Sequence, residues 1–482
     1  MRPQIVIKYI GLILILNSVF LLISALISYF NGVDDGFIPL FVSFLLVLML
    51  GGFPQIFVPK AATISTKESY LIIVGAWLVL CLAGTFPYLL YGGEFNVLGA
   101  WFESVSGFTT TGSTILNNIE ALPKGLLFWR ASTHFIGGLG IVVFALVIAP
   151  STTDKSHSNL TNVEFSSLAK DQYRYRTSKI VRILVFVYLG LNILQSILLK
   201  IAGMDWFDAV THSFATIATG GFSTRNMSIA YFDSLSIELI IMFFMVVSGL
   251  HFGLIFSTII GNRNNLFRSE VARYFLISIA VVSALMAIDL VVGGAYNSLW
   301  DAIRYGSFQL ITLTTSTGFA SADSSLWPSF SVLVIILFTI QGGCAGSTSG
   351  GIKADRMFLI FKDVARQIKK QQHPRAVVHV KLNGSTQSES AISQATLFGG
   401  VFIMALIVGT LINALCGLDV ITSFSAAAAS LANAGPGFGA VGSMSNYTVL
   451  PEVSKATMTF LMLLGRLEIF GLIQFFVISR WR

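Results

Sequence analysis

Four short polar segments of this 482-residue chain are built alike, and their residue types point to one kind of chemistry. They read Thr110-Thr111-Gly112-Ser113, Ala218-Thr219-Gly220-Gly221, Ser316-Thr317-Gly318-Phe319 and Asn433-Ala434-Gly435-Pro436. Their glycines at 112, 220, 318 and 435 recur at separations of 108, 98 and 117 residues. A cation leaving water needs a ring of oxygens in place of its hydration shell, and backbone carbonyls supply one. Threonine and serine add hydroxyl oxygens. Glycine lets the backbone aim its carbonyls at a common axis and puts no side chain in the way. No run of acidic residues lines the segments, which argues against carboxylate rings of the divalent-ion type. One such segment would be an ordinary turn. Four in register are a unit used four times.

The elements that must position these loops follow from hydropathy. Each loop ends a semi-apolar stretch too short for the roughly 20 residues a bilayer crossing takes. These stretches are Phe95–Thr109, Phe207–Ala218, Leu299–Ser316 and Ile421–Asn433. Longer apolar runs lie at Tyr9–Phe30, Phe37–Val58, Tyr70–Tyr91, Phe128–Ala149, Ile180–Ile201, Ile237–Ile260, Tyr274–Gly293, Phe330–Gln341, Thr396–Cys416 and Thr457–Ile478. The composition agrees: 54% of residues are hydrophobic, 11% are charged, and mean hydropathy is +0.78. A soluble domain carries roughly 25% charged residues. The expectation is an all-α polytopic membrane protein of ten transmembrane helices, with four re-entrant short helices and loops in pseudo-four-fold arrangement around a central pore. Non-helical backbone at membrane depth survives only where protein or a water-filled cavity surrounds it. The C-terminal, partly negative ends of the short helices then point inward, which favours a cation. The units read as 1–69 (two extra helices), 70–179, 180–273, 274–390 and 391–482.

Charge gives the orientation. With a cytoplasmic N-terminus, the inner segments 1–8, 59–69, 150–182, 261–273, 353–390 and 479–482 hold 23 of the 30 Lys and Arg but 8 of the 23 Asp and Glu. The opposite topology would leave nearly all basic residues outside, against the positive-inside tendency. Both termini are therefore expected in the cytoplasm. The basic stretch 353–390 reads as topology plus attraction to anionic lipid headgroups rather than as a nucleic-acid site. Three cysteines are too few and too scattered for a disulfide framework or a metal site. Gly437 to Gly442 matches GxGxxG without a strand before it, and Gly346 to Gly351 has P-loop-like spacing but is followed by Ile352 instead of lysine. No nucleophile–base pair stands out, so a membrane enzyme is disfavoured.

The longer strings Ser106-Gly107-Phe108-Thr109-Thr110-Thr111-Gly112-Ser113-Thr114, Ala218-Thr219-Gly220-Gly221-Phe222-Ser223-Thr224, Thr315-Ser316-Thr317-Gly318-Phe319 and Ala434-Gly435-Pro436-Gly437-Phe438-Gly439 resemble the four selectivity-filter loops of the Trk/Ktr/HKT potassium transporters. The two extra N-terminal spans point to the TrkH-type branch. The resemblance implies potassium as the transported ion in a bacterial cytoplasmic membrane. It implies filter residues Thr110, Thr111, Gly112, Ala218, Thr219, Gly220, Ser316, Thr317, Gly318, Asn433, Ala434 and Gly435. It also implies a homodimer, and a separate cytoplasmic nucleotide-binding ring subunit of TrkA type docking on 150–182 and 353–390. The fourth loop departs most, with Ala434-Gly435 where the others have Thr-Gly. A rival reading is a secondary transporter for another cation or small solute, such as a sodium-coupled symporter. Four filter-like repeats disfavour it, because that class usually shows two repeats around one midplane site.

After Ile340 the eighth span dissolves into Gln341-Gly342-Gly343-Cys344-Ala345-Gly346-Ser347-Thr348-Ser349-Gly350-Gly351. Each glycine costs a helix about 1 kcal/mol relative to alanine, and a broken helix marks a cavity-lining or moving element. In the resembling proteins the matching segment gates permeation, which implies a gate at Gly342, Gly343, Gly346, Ser347, Gly350 and Gly351. Arg466, a charge inside the last span, resembles their pore arginine facing that loop; Glu468, two residues on, is not expected to satisfy it. Glu103 is expected to face an outer vestibule and attract cations. His134 and His251 read as histidines packed between helices rather than proton relays.

Overall fold

In hydrocarbon, every backbone N–H and C=O must be satisfied within its own segment, so long apolar runs fold as helices. The structure, a computed structural model, describes residues 2–59, 64–148, 177–260 and 268–477. Most of the expected inner segment 150–182 lies outside the described residues, as do Ala149 and Ile478 at the ends of two expected spans.

The chain opens with α1 (Pro3–Phe30) and α2 (Phe37–Phe57). They cross so closely at Gly11 and Gly51 that a Cβ on either would fall within 3.0 Å of the other's carbonyl oxygen. Small residues at such crossings let backbones meet in membranes. A helix, a short helix, a loop and a second, interrupted helix then recur four times. The first unit is α3 (Thr66–Tyr91), α4 (Val97–Phe108) and α5 (Lys124–Ile148). The second is α6 (Thr177–Ile201), α7 (Trp206–Ile217), α8 (Leu235–Gly249) and α9 (Phe252–Ile260). The third is α10 (Glu270–Val292), α11 (Leu299–Thr314), α12 (Ser329–Gln341) and α13 (Ala354–Gln372). A two-stranded hairpin, Lys381–Leu382 with Ser385–Thr386, turns at Asn383-Gly384 and leads to the fourth unit. That unit is α14 (Glu389–Leu415), α15 (Val420–Leu431), α16 (Glu452–Arg466) and α17 (Phe470–Val477).

A helix stands at each of the ten expected runs, but not ten unbroken spans. Among the described residues, six helices are long and apolar enough to cross alone: α1, α2, α3, α6, α10 and α14. A seventh results if α8 and α9, bent by 105°, count together. The three other runs are interrupted, each for a local reason. Helix α5 carries a non-helical residue at Gly140 (φ 45°, ψ −144°). Helix α12 stops after 13 residues at Gly342 (φ 71°). Between α16 and α17, Glu468 and Ile469 take φ of 54° and 48°.

Large apolar side chains such as Met49, Phe53, Phe186, Ile288, Met404 and Leu411 stay exposed along the long helices. A soluble monomer rarely exposes so much contiguous apolar surface. Hydrocarbon is the natural surrounding.

Candidate functional site

Each short helix starts on a side-chain cap that satisfies one of its orphan amides. Asn96 accepts from Gly99 N–H, Asp205 from Asp208, Ser298 from Trp300 and Asp419 from Thr422. The Thr422 hydroxyl and backbone N–H together hold the Asp419 carboxyl below the usual carboxylate range. Each helix ends on a residue in the left-handed region: Thr110, Thr219, Ser316 and Asn433, with φ between 52° and 55°. The next amide closes the same bond in all four, back to the carbonyl five residues earlier. The pairs are Thr111 to Ser106, Gly220 to Ala215, Thr317 to Thr312 and Ala434 to Ala429, at 2.7–2.8 Å. Glycine usually takes this cap position. Here four side-chain-bearing residues take it, at a cost of order 1–3 kcal/mol each that the surrounding contacts must cover.

One residue further stands a glycine with positive φ: Gly112 (83°), Gly221 (79°), Gly318 (84°) and Gly435 (87°). The expected triplets of loops one, three and four match this register. Loop two slips. Its structural counterpart is Thr219-Gly220-Gly221, one residue later than Ala218-Thr219-Gly220, and Ala218 is the helix cap instead. Two adjacent glycines hide the register in sequence, and only the backbone angles resolve it.

The four glycines also close a cycle. A Cβ on Gly112 would fall within 3.0 Å of the Gly220 carbonyl oxygen. One on Gly221 would meet Thr317 O, one on Gly318 Ala434 O, and one on Gly435 Thr111 O, all inside the same limit. Loop one touches two, two touches three, three touches four, and four touches one. The oxygens met belong to the same position in every loop: Thr111, Gly220, Thr317 and Ala434. Side-chain hydroxyls break the symmetry. Thr109 pairs with Thr111 at 2.8 Å and Thr315 with Thr317 at 2.9 Å. The equivalent positions in loops two and four are Ala218 and Gly220, and Ala432 and Ala434.

Polar side chains tie each outgoing strand to its short helix. Glu103 accepts from Thr114 Oγ1 and Ile115 N–H, His212 Nε2 lies 2.9 Å from Ser223 Oγ, Gln309 Nε2 donates to Ala322 O, and Ser425 Oγ accepts from Phe438 N–H. Glu103 is therefore not in an outer vestibule. It is fully buried and paired with Arg130 at 2.8 Å, because the strand after loop one folds back over it. His134 is packed as expected, its ring stacked 4.2 Å from Phe222. His251 caps α9 through Nδ1, accepting from Gly253 and Leu254 N–H.

Beneath the loops, the segment between α12 and α13 is folded onto them. Gly350 N–H donates to Ser316 Oγ at 2.7 Å, and a Cβ on Gly350 would collide with Ala432 O. Thr348 Oγ1 donates to Ile217 O. Gly343 N–H donates to Ser349 Oγ and Cys344 N–H to Gly249 O. Ser347 and Ser349 hydroxyls lie 2.7 Å apart, and Gly346 packs against the His251 ring. Gly342, Gly346 and Gly351 all have positive φ. Arg466 donates to Thr348 O at 2.9 Å and to Gly137 O at 2.5 Å, while Glu468 pairs instead with Arg356. Residues 345–351, Arg466 and Glu468, with Gly138, Asn433 and Gly465, line a cavity of about 110 Å³.

Sequence reasoning missed three features. Gly221 was masked by its neighbour. The breaks in α5, between α8 and α9 and between α16 and α17 fall inside runs that read as continuous spans, although Gly137-Gly138-Leu139-Gly140 and Gly249-Leu250-His251 carry the glycine signal for the first two. The threonine pairs at 109/111 and 315/317 become visible only once the helix end is placed.

Residues 39–480 match the TrkH family, described as cation transport proteins. The potassium uptake protein TrkH of the Trk system of Escherichia coli K12 is 34% identical over 480 residues, 98% of each chain. TrkH of Vibrio parahaemolyticus is 33% identical over the full length of both chains. TrkG of Escherichia coli K12 is 32% identical across 92% of this chain and 91% of its own. The crystal structure of the potassium transporter TrkH from Vibrio parahaemolyticus superposes with a TM-score of 0.89, covering 100% of both chains at 32% identity. With its helices, its four-fold loop unit and this full-length similarity, the chain belongs to the TrkH family of cation transport proteins, which are membrane transporters and not enzymes.

Proposed function

We propose that this protein takes up potassium across the bacterial cytoplasmic membrane through a filter formed by its four loops. The observation that carries the reading is the closed cycle of Thr111, Gly220, Thr317 and Ala434 carbonyls, each against the glycine of the preceding loop. A dehydrated monovalent cation at the centre of such a tier exchanges water oxygens for carbonyl oxygens without meeting a fixed negative charge. The threonine hydroxyls of loops one and three add oxygens on two opposite sides. The relatives' names support potassium as the ion.

In this reading ten membrane segments, four of them interrupted, surround four re-entrant short helices whose C-terminal ends face the axis. Both termini are cytoplasmic, in keeping with the distribution of Lys and Arg. The repeats at 70–179, 180–273, 274–390 and 391–482 build the pore, and 1–69 packs outside it. The filter residues are those of the sequence reading, with Gly221 joining Thr219 and Gly220 in loop two. Gly342–Gly351 and Arg466 form the gate: the loop seats against Ser316 and Ala432 and the guanidinium staples it to Gly137. A cytoplasmic nucleotide-binding subunit acts on this gate, and two copies of the chain form the membrane unit.

Expression in a bacterial strain lacking its own potassium uptake tests the function. Growth restored in low-potassium medium, and abolished by Gly318→Ser, supports it. Growth that depends instead on added sodium or another solute would overturn it.

A further inference from the structure

The buried ion pair between Arg130 and Glu103 does more than tie the first loop to its own short helix. Both side chains are withdrawn from solvent, at 1% and 0% exposure. Such a pair is seldom retained for stability, because desolvating two charges consumes most of what their attraction returns. Its contacts show what else it does. Arg130 Nε and Nη2 both reach Glu103 Oε1 at 2.8 Å, Nη2 approaches Thr114 Oγ1 at 3.3 Å, and Nη1 donates to Ser223 O at 3.1 Å. The guanidinium sits 4.0 Å from the centroid of the Phe222 ring. One helical turn along α5, His134 stacks on the same ring at 4.2 Å, and its Nδ1 accepts the Phe222 N–H at 3.4 Å. The ring of His134 also abuts Gly220, leaving no room for a Cβ there.

Loop two is where support matters most. Of the four loops it alone pairs two glycines, 220 and 221, and it has no threonine hydroxyl pair to stiffen it. Phe222 follows directly, and Ser223 after it. A residue of repeat one thus grips the strand leaving loop two while holding, through Glu103 and Thr114, the strand leaving loop one.

We infer that Arg130, with Glu103 and His134, is a positioning residue that sets the spacing between filter loops one and two and thereby cation selectivity. The planar fork matters more than the charge: lysine keeps the charge but cannot reach Glu103 and Ser223 together while lying flat on a ring. The inference rests on the potassium-filter reading, and the test separates the two.

The experiment is rubidium-tracer uptake into liposomes holding the purified full-length protein, with potassium and sodium as competitors. Arg130→Lys and the charge-balanced double variant Glu103→Gln/Arg130→Gln avoid an unpaired buried charge. Both are expected to keep taking up rubidium at a half-saturating concentration within about twofold of wild type, while potassium-over-sodium discrimination falls roughly tenfold. A merely structural loss would lower total uptake and leave discrimination intact. Phe222→Leu removes the ring between Arg130 and His134 without touching a charge and carries the same expectation, so poor folding of the lysine variant leaves the test standing. Unchanged discrimination in all folded variants would overturn the inference. Wild-type uptake indifferent to potassium would overturn the filter reading instead.

Discussion

At the four loop apices the backbone is the same residue for residue. A left-handed residue, a residue outside the positive-φ region and a positive-φ glycine follow one another beyond the ends of α4, α7, α11 and α15. In the helices that come next, the four repeats part company. Helix α5 kinks at Gly140, α8 turns through 105° into α9, α12 gives way to the loop from Gly342 to Lys353, and α16 breaks at two left-handed residues. An ion on an axis meets all four loops at once, so their carbonyls must agree. A gate need be moved by only one element, so the breaks are free to differ. In the proposed reading, symmetry is kept where four groups act on one ion and lost where one group can act alone.

That contrast can be broken by experiment, because changes in the loops should alter discrimination and changes at the breaks should alter rate. The largest effect is expected from Gly112→Ala. The new Cβ would need a positive φ costing about 1–3 kcal/mol and would collide with the Gly220 carbonyl. Potassium-over-sodium discrimination in tracer uptake should fall by roughly 10- to 100-fold; a variant as selective as wild type would place loop one off the axis. Arg466→Ala comes next. It removes the donors to Thr348 O and Gly137 O, each charge-assisted bond being worth about 1.5–3 kcal/mol. Basal uptake without any partner should rise at least roughly tenfold with discrimination retained. A fall in discrimination instead would mean that the two regions do not divide their labour.

Ser316→Ala tests the seam between them. It deletes the acceptor for Gly350 N–H, a net change of about 1 kcal/mol, so basal uptake should rise about fivefold. Loss of uptake would show that the hydroxyl serves the ion and not the gate. The smallest change is Asn96→Ala, which uncaps α4 for about 1 kcal/mol. A modest fall in Tm with uptake and discrimination intact is expected; altered discrimination would show that the helix start, and not only its end, tunes the filter.

How much of this was legible in the sequence depended on whether the signal was local. The ten helix positions and the four loops could be read because hydropathy and glycine spacing are properties of contiguous residues. The break after Ile340 was visible because five glycines crowd eleven residues there. The kink at Gly140 was not, because the same composition also fits a close helix crossing, and Gly137 does meet the Phe108 carbonyl in that way. Loop two was read one residue early, since either of two adjacent glycines fits the pattern and only φ separates them. Glu103 was misplaced because burial of a carboxylate depends on Arg130, 27 positions away, and on a strand folding back over both. Pairings across repeats, such as Gly435 against Thr111 or Gly350 against Ala432, leave no trace in spacing at all.

The central claim is that the four loops form one potassium-selective ring, and the most direct measurement is cation competition on the isolated protein. Rubidium-tracer uptake would be followed in liposomes holding the purified chain, with the variant shortened across 342–351 as the open reference. The account predicts uptake in that variant that is blocked by external potassium and indifferent to sodium. Uptake suppressed equally by both ions, or no uptake from the shortened variant, would contradict it.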